Sequence, residues 1–267
     1  MGKLAVLAGK GALPVALSEA RPDALMFSLF GMPHDLGRPT LEHRFEKLGG
    51  LLEDMNDRGV TEVVMAGAMP RPQIDLAQLD GFMMANAARL QAAFQMGDDT
   101  LLRLFISMFE EQGIKVRGAH EILPDLTIGQ GAVVGKQPDA NQMRDIEKAA
   151  ELLKALAPHD LGQGVVVAAG LCLGIETLQG TDALLNFVAQ TPKHLVRQPG
   201  VFVKAPKVGQ DLRVDMPTIG PDTIEAAAAA GLAGIAVAAE RVILLERVQT
   251  IAAAEKAGLF LYGLEGI

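Results

Sequence analysis

A charged stretch at 203–225, "VKAPKVGQDLRVDMPTIGPDTIE", carries four acidic and three basic side chains on an irregular background. Its cations are Lys204 and Lys207, which flank Pro206, and Arg213, which follows closely. Three cations beside a glycine-containing turn can hold the oxygens of a pyrophosphate. A solvated loop is the plain alternative, and the stretch by itself leaves both interpretations open.

The aspartates of this stretch are not equivalent. Asp211, Asp215 and Asp222 offer the carboxylate oxygens that Mg²⁺ prefers. Asp222 has Glu225 three residues on, which is typical of a helix N-cap with its capping-box partner. Asp215 lies in irregular chain, where a carboxylate need not serve a helix. We therefore predict Asp215 as the catalytic residue, with Asp215 and Asp211 as candidate metal ligands.

Two further loops could contact an anion. "LAGKGALP" (7–14) is a glycine-rich turn between a predicted strand and helix, where backbone N–H groups can meet a phosphate. The dinucleotide fingerprint is incomplete, because its third glycine and the acid after the second strand are missing. "AGAMPRP" (66–72) holds Arg71 between two prolines, which suits a guanidinium aimed at an anion. A ligand-free turn and a solvated arginine are the alternatives.

The histidines and the cysteine give weaker signals. None of the five histidines has metal-ligand spacing, and no G-x-S-x-G nucleophile elbow occurs. His120, at the end of a predicted strand, lies near other candidate groups, although a histidine bonded to the backbone explains it as well. Cys172 falls in an apolar strand and is most simply a core residue.

Composition limits the class of protein. The formal net charge of −8 argues against a nucleic-acid partner, since such proteins usually have a basic face. One cysteine and an N-terminus without a long apolar segment predict a cytoplasmic location. The longest apolar run, 226–239, is too short to span a bilayer. Peripheral contact of a local basic patch with the inner membrane stays open.

The elements that must position these residues alternate along the first half. Strands are predicted at 3–8, 23–31, 61–69 and 115–123, and helices such as 45–59 and 97–113 separate them. This alternation predicts an α/β fold with a Rossmann-like parallel sheet. A Gly- and Pro-rich segment follows, and we expect an N-terminal domain at 1–132 and a C-terminal α/β domain at 137–267 that carries Asp215.

The second half mixes helices with strands that have more antiparallel character. A helix is predicted at 142–157 and a β-hairpin at 162–177, turning at Ala169–Gly170. Further elements follow to the end of the chain: a helix at 180–190, a strand at 200–206, a helix after Asp222, a strand at 234–245, and a last helix and strand.

Several blocks together resemble a known family. "LAGKGALPVAL", "VVMAGAMPRP", "GDDTLLR", "GAHEILPDL", "DLGQGVVV", "IETLQGTDALL" and the long block that begins "VKAPKVGQDLRVDMPTIGPDTIE" look, in order and spacing, like the blocks of the LpxI family. The resemblance runs from residue 3 to about residue 263. It implies a Mg²⁺-dependent hydrolase of lipid A biosynthesis that cleaves UDP-2,3-diacylglucosamine to UMP and 2,3-diacylglucosamine 1-phosphate (lipid X). It also implies two domains and a homodimer.

The resemblance also assigns residues. The aspartate of the family's R-x-D-x-P-T-I-G block falls on Asp215. With the residue-based candidates, the predicted substrate contacts are Gly11, Ala12, Leu13, Ala66, Gly67, Arg71, Gln163, Thr181, Asp182, Ala183, Lys204, Lys207 and Arg213. The loop carries Lys10 where many relatives have a small or polar residue, so the role of this lysine is open. The family further implies that water attacks the phosphate attached to the sugar, with UMP leaving.

Two other functions remain as alternatives. One is a nucleotide-dependent enzyme of another reaction, such as a dinucleotide oxidoreductase, which the broken glycine fingerprint disfavours. The other is a catalytically silent protein that binds a nucleotide sugar or lipid. The retention of Asp215 together with Lys204, Lys207 and Arg213 argues against the second.

Overall fold

A computed structural model describes residues 2–70, 72, 74–96, 98–159 and 161–267, without the side chains of Asp98, Asp99 and Ala132. The chain forms two compact units. The first comprises Met1–Pro124 and Asp211–Asp215, and the second Asp125–Gln210 and Met216–Ile267. We expected a boundary between 132 and 137. The contacts divide the chain earlier, because Gly131–Val134 pairs as a strand in the sheet of the second unit. The contacts also assign Asp211–Asp215 to the first unit, whereas Asp215 was expected in the C-terminal domain.

The first unit alternates strands and helices. Its strands are β1 (Lys3–Ala8), β2 (Leu25–Leu29), β3 (Leu41–His43), β4 (Val60–Ala66) and β5 (Lys115–Arg117). Its helices are α1 (Ala12–Ala20), α2 (Leu48–Asp57), α3 (Gly81–Ala85), α4 (Ala87–Met96), α5 (Asp98–Glu111) and α6 (Ala119–Ile122). The predicted strand at 115–123 is therefore too long. Glu121 accepts a hydrogen bond from the Gly118 N–H (2.8 Å), which ends the strand and opens a helical turn.

The five strands form one parallel sheet in the order β3-β2-β1-β4-β5. β1 is buried from its second residue onward, as expected for a strand covered by helices on both faces. Phe27, Leu51, Met55 and Phe109 are fully buried in the core beside the sheet. The Rossmann-like parallel sheet predicted for the first half is confirmed. Its carboxyl edge, where open α/β sheets bind ligands, is formed by the loops after these strands.

The second unit has more varied elements. Its strands are β6 (Gly131–Val134), β7 (Gly164–Ala168), β8 (Leu171–Ile175), β9 (Val201–Lys204), β10 (Thr218–Ile219), β11 (Gly234–Ala238), β12 (Ile243–Leu244) and β13 (Phe260–Leu264). Its helices are α7 (Ala140–Leu156), α8 (Gly180–Ala189), α9 (Pro221–Ala229) and α10 (Arg247–Ala257). The predicted strand at 234–245 is thus two strands, in different sheets.

Its main sheet has the order β6-β13-β11-β9-β7-β8 and mixes parallel with antiparallel pairs. β10 and β12 form a separate parallel pair. The mixed α/β character predicted for the second half is confirmed. No helix among the described residues is long and apolar enough to cross a membrane.

The hairpin predicted at Ala169–Gly170 is confirmed, since β7 and β8 pair antiparallel on either side of it. Both turn residues have positive φ, 51° and 75°, as the tightest hairpin turns require. The carboxylate of Asp145 on α7 is buried and accepts hydrogen bonds from the N–H groups of Ala169 (3.0 Å) and Gly170 (2.7 Å). A distant side chain therefore fixes the turn, which stabilises a non-glycine residue at positive φ.

Candidate functional site

The two glycine-containing loops of the first unit meet at the carboxyl edge of its sheet. Adjacent strands β1 and β4 run parallel, so Gly11, Ala12 and Leu13 follow one strand while Ala66 ends the other and Gly67 follows it. Lys10 and Ala68 exchange two backbone hydrogen bonds, of 2.9 and 2.8 Å. The structure thus brings together the described first-unit contacts predicted in these loops. Arg71, predicted beside them, lies outside the described residues.

Gly67 is the residue that lets the two loops approach. Its φ is +91°, and a Cβ there would lie 2.7 Å from the Lys10 carbonyl oxygen and 2.8 Å from Cγ of Pro14. A side chain at this position would collide with backbone and with a rigid ring. The tight approach of the loops therefore requires glycine.

The glycine-rich loop already contacts a carboxylate of this chain. The Gly11 N–H, at the N-terminus of α1, donates to Oδ2 of Asp35 over 2.7 Å. An acceptor at this N–H makes the hydrogen bond that a phosphate would make at the start of a helix. The arrangement therefore disfavours a dinucleotide pyrophosphate at this amide, in line with the incomplete fingerprint.

A cavity of about 400 Å³ opens at the same edge of the first unit. It is lined by Leu7, Leu29, Met32, Phe45, Leu48, Met65, Gly67, Met69, Pro70, Pro72, Leu101, Leu102, Phe105, Phe109, Val214 and Asp215. Asp215 is the charged residue of this otherwise apolar set. The volume of the cavity is within the range of small-molecule sites. An apolar wall with one carboxylate can hold an aliphatic chain beside a reacting group.

The segment that carries Asp215 is a tight turn. The Asp211 carbonyl oxygen accepts from the N–H groups of Val214 (3.3 Å) and Asp215 (3.1 Å). The Arg213 guanidinium donates to both carboxylate oxygens of Asp211, with Nε–Oδ1 at 3.0 Å and Nη2–Oδ2 at 2.7 Å. It also donates to Oε1 of Glu110 over 2.8 Å. Arg213 therefore links the turn to α5 by hydrogen bonds. We infer that it mainly positions Asp215.

The same ion pair stabilises the negative charge of Asp211. The hydrogen bond from Arg213 lowers the pKa of the Asp211 carboxyl, partial burial opposing the shift, and raises the pKa of Arg213. Asp211 is thus ionised at neutral pH, with both oxygens committed to the arginine. That commitment makes Asp211 a poor metal ligand.

The donor set for the implied Mg²⁺ is correspondingly small. Within the described part of the chain, no group of three or more His, Cys, Asp or Glu side chains could hold a metal ion. Mg²⁺ commonly keeps several waters and binds through one or two carboxylates together with substrate phosphates. Asp215 at the cavity wall fits that mode as a single carboxylate ligand.

His120 lies on α6, after the strand that forms the other edge of this sheet. Its Nδ1 is buried and has no hydrogen-bond partner among the described residues. A Cβ at Gly118 would lie 2.5 Å from its ring and 3.4 Å from Cα of Arg213. His120 therefore packs close to the turn of Asp215, but not in the wall of the cavity.

The second unit contains a buried cation. Lys204 ends β9, and its ammonium contacts Oε2 of Glu176 (3.2 Å) and the hydroxyl of Thr181. The Thr181 hydroxyl also lies 3.1 Å from Oε2 of Glu176. The side chains of Lys204 and Glu176 are only 5% and 10% exposed. The predicted contacts Lys204 and Thr181 are thus brought together, around a glutamate that was not predicted.

These side chains border a polar pocket of about 330 Å³. It is lined by Gln179, Gly180, Thr181, Asp182, Lys204, Thr218, Gly220, Pro221, Asp222, Thr223, Leu245 and Glu246. The N-termini of α8, α9 and α10 all contribute to this lining, and their N–H groups and dipoles favour an anion. Lys204 and these N-termini favour a phosphate, whereas the carboxylates of Asp182, Asp222 and Glu246 in the same lining oppose one. Asp182 lies in its wall, whereas Ala183 is exposed on α8 and not part of the lining.

Lys207 and Gln163 belong to a different part of the second unit. The Gln210 side-chain oxygen accepts from the Lys207 N–H (2.9 Å) and from Nε2 of Gln163 (3.0 Å). Lys207 lines a separate cavity of about 180 Å³ with Lys154 and Arg241. Lys204 and Lys207 therefore do not line one pocket, although they are three residues apart in the sequence.

The expected role of Asp222 is wrong. α9 begins at Pro221 with Gly220 as its N-cap, and the Gly220 N–H donates to Oγ1 of Thr223 over 3.3 Å. Proline suits the first helical position because its fixed φ is helical and its missing N–H is not needed. The helix thus starts before Asp222, which lies in its first turn. The helix macrodipole stabilises a negative charge at that position.

Sequence reasoning missed Glu176 and Asp35. Glu176 directly follows an apolar strand, "LCLGI", and an acidic residue at such a strand end was the available signal. Asp35 lies in an irregular loop 24 positions from its partner, so no local pattern marks it.

Comparison with known proteins covers nearly the whole chain. Residues 3–126 match the model of the LpxI N-terminal domain, and residues 129–262 match that of the LpxI C-terminal domain. The chain is also 37% identical to the UDP-2,3-diacylglucosamine pyrophosphatase LpxI of Caulobacter vibrioides over 275 residues, which cover 99% of this chain and 98% of that protein. The resemblance found in the sequence is thereby confirmed, and the chain belongs to the LpxI family.

Proposed function

We propose that this protein hydrolyses the pyrophosphate bond of UDP-2,3-diacylglucosamine, giving UMP and lipid X, in lipid A biosynthesis. The observation that carries the proposal is Asp215 in the wall of a cavity whose other described lining residues carry no charge and are mostly apolar. A diacylated phosphosugar has both parts that such a site would contact, namely aliphatic chains and a phosphate next to them. Membership of the LpxI family supports the same substrate.

The apolar cavity of the first unit takes an acyl chain. Its lining comes from the ends of β1, β2 and β4 and from one face of α5, and these residues are largely aliphatic or aromatic. Each methylene transferred from water into such a wall contributes about 0.8 kcal/mol. A chain of ordinary fatty-acid length would therefore supply much of the binding free energy.

The polar pocket of the second unit takes a phosphate of the nucleotide. Lys204 supplies a fixed positive charge, and the helix N-termini supply N–H donors. In phosphoryl transfer, fixed cations that neutralise developing charge supply most of the catalysis. The departing UMP needs this neutralisation, since its charge grows as the bond to the sugar phosphate breaks.

Asp215 orients the attacking water and accepts its proton at a carboxylate oxygen. General-base or positioning roles of this kind typically contribute about 10²- to 10⁴-fold in rate. Asp211 and Arg213 act through the turn, by holding the Asp215 backbone in place. Asp215 would hold Mg²⁺, which would supply further charge neutralisation when bound.

We further propose that the protein acts in the cytoplasm as a homodimer, with peripheral contact with the inner membrane where its lipid substrate resides. Light scattering of the purified protein tests the dimer. Sedimentation with vesicles of inner-membrane lipids tests the contact.

The reaction itself is tested with purified protein and UDP-2,3-diacylglucosamine, following UMP and lipid X by mass spectrometry. We expect both products with Mg²⁺ and neither in excess EDTA, with activity restored by added Mg²⁺. Substrate that binds but is never cleaved at any metal concentration would favour the silent binding protein instead. Full activity in EDTA would refute the metal requirement alone.

A further inference from the structure

A buried ion pair lies beside the polar pocket of the second unit. Glu176 directly follows β8 and Lys204 ends β9, and both strands flank β7. Both partners are almost fully buried, with side chains 10% and 5% exposed. A charge in such a place is retained only when it is paired and hydrogen-bonded, because its desolvation is costly. The pair therefore needs an explanation beyond packing.

The sheet makes room for this pair at one residue. Gly164 on β7 lies opposite Lys204 in the strand register, and its carbonyl oxygen accepts from the Glu176 N–H over 2.7 Å. A Cβ at Gly164 would lie 2.5 Å from Oε2 of Glu176 and 2.6 Å from Cε2 of Phe202. The missing side chain thus lets the glutamate pass over β7 toward the lysine.

Hydrogen bonds close the group into a triangle. Lys204 Nζ lies 3.4 and 3.2 Å from the two carboxylate oxygens of Glu176 and also contacts Oγ1 of Thr181. Thr181 Oγ1 lies 3.1 Å from Oε2 of Glu176, so it can accept from the lysine and donate to the glutamate. One carboxylate therefore orients both an ammonium and a hydroxyl.

We propose that Glu176 is a positioning residue, which holds Lys204 and Thr181 ready for a phosphate in the polar pocket. The inference rests on the proposed function and deepens it. Lys204 and Thr181 line the pocket, whereas Glu176 is not part of the lining and acts through them. While the pocket is empty, Glu176 compensates the buried cation. When a nucleotide phosphate enters, the ammonium shares its hydrogen bonds with the new oxygens.

This arrangement makes a prediction that a packing role does not. Glu176→Gln keeps the shape of the side chain but removes the negative charge beside Lys204. The pocket then attracts an anion more strongly, so UMP should bind about threefold to tenfold more tightly, as expected when about 1 kcal/mol of repulsion is removed. Turnover should fall about tenfold, because the lysine is no longer held in one orientation and UMP leaves more slowly.

The experiment measures two quantities on each variant: the Kd of UMP by calorimetry in the presence of Mg²⁺, and kcat on UDP-2,3-diacylglucosamine. Lys204→Met should abolish UMP binding. Glu225→Gln, on the exposed face of α9, is the matched control and should leave both quantities unchanged. Glu176→Asp should recover part of the turnover, since it restores the charge with a shorter arm.

A second pair of variants covers the case in which Glu176→Gln does not fold. Thr181→Val removes the hydroxyl that links lysine and glutamate, while Thr181→Ser retains it. We expect at least a threefold loss of kcat in Thr181→Val and near wild-type kcat in Thr181→Ser.

The outcomes separate this inference from the proposed function. If the wild-type protein cleaves the substrate, and Glu176→Gln has the same Kd for UMP and the same kcat, the positioning role is overturned. The proposed function is then unaffected. A wild-type protein that never cleaves the substrate, but whose UMP affinity rises in Glu176→Gln, overturns the function and supports the positioning role. A wild-type protein that does not bind UMP overturns the positioning role, as does equal turnover of Thr181→Val and Thr181→Ser.

Discussion

The two units place a charged side chain in opposite environments. In the first, the exposed carboxylate of Asp215 lines a mostly apolar cavity at the edge of a parallel sheet. In the second, a buried cation, Lys204, meets a polar pocket lined by helix N-termini. Exposed charge beside apolar walls suits a group that must reach a water and a lipid. Buried charge beside polar walls suits a group that must hold an anion.

The two units also differ in how far function depends on residues that stabilise the fold. Asp215 is exposed, so its loss should cost activity and little folding free energy. Glu176 and Lys204 are buried partners, and removing one leaves the other uncompensated, at a cost of about 3–5 kcal/mol. Variants in the two units should therefore have different balances of kinetic and stability effects.

The largest effect is expected at Asp215. Asp215→Asn should lower kcat by about 10²- to 10⁴-fold, because the amide cannot accept the proton of water. Its Tm should stay within about 2 °C of wild type, since surface substitutions usually change stability by about 0.5 kcal/mol or less. Kinetics and calorimetry measure the two. Asp57→Asn, exposed on α2, is the control, and an active Asp215→Asn would refute the catalytic role of Asp215.

A smaller effect is expected from filling the apolar cavity. Leu102→Trp should raise KM for a substrate with long acyl chains about tenfold, the equivalent of about two methylenes excluded from the wall. A short-chain analogue should keep its KM, because it does not reach the displaced volume. Parallel kinetics on the two substrates make the test. If both values of KM rise equally, the cavity does not select for chain length.

The ion pair of the Asp215 turn should give a stability effect that depends on pH. The pKa of Asp211 is lowered by Arg213, so its stabilisation is present above the ordinary value of 3.8 and is lost as pH falls through the lower folded value. Asp211→Asn should therefore reduce stability at pH 7 by at most about 1 kcal/mol, since the pair is partly exposed. Thermal melts should show the difference from wild type shrinking below about pH 4. A constant difference from pH 7 to pH 3 would contradict the assigned cause.

The smallest effect is expected at Asp222. It lies in the first turn of α9 and is not the cap, so Asp222→Ala should cost only about 0.3–1 kcal/mol of macrodipole interaction. Urea unfolding measures this cost, and Glu225→Ala, further along the same helix, is its control. A large rise in the Kd of UMP without loss of stability would instead make Asp222 a contact in the polar pocket.

Local patterns predicted most of the longer strands, most helices and the hairpin turn, because hydrophobic periodicity and turn residues can be recognised within short segments of sequence. The short strands β3, β6, β10 and β12 were not predicted as separate strands. Asp215 could be singled out because no helix used it. The commitment of Asp211 to Arg213, the Asp35 contact and the Glu176–Lys204 pair could not be foreseen in this way. Each of these three contacts depends on the packed structure, which decides the side chains that meet. The Asp35 contact and the Glu176–Lys204 pair also join residues more than 20 positions apart in the sequence. The start of α9 was predicted too late in the sequence. Aspartate is a more common N-cap than glycine, so the sequence favoured Asp222 over Gly220, which is the cap in the structure.

In the proposed reaction, Asp215 directs water at the phosphate attached to the sugar, so that UMP departs. Hydrolysis of UDP-2,3-diacylglucosamine in water labelled with ¹⁸O tests this most directly, with both products analysed by mass spectrometry. We expect one labelled oxygen in the phosphate of lipid X, unlabelled UMP, and loss of both products in Asp215→Asn. Label in UMP would mean that water attacks the nucleotide phosphorus, and it would exclude the role proposed for Asp215.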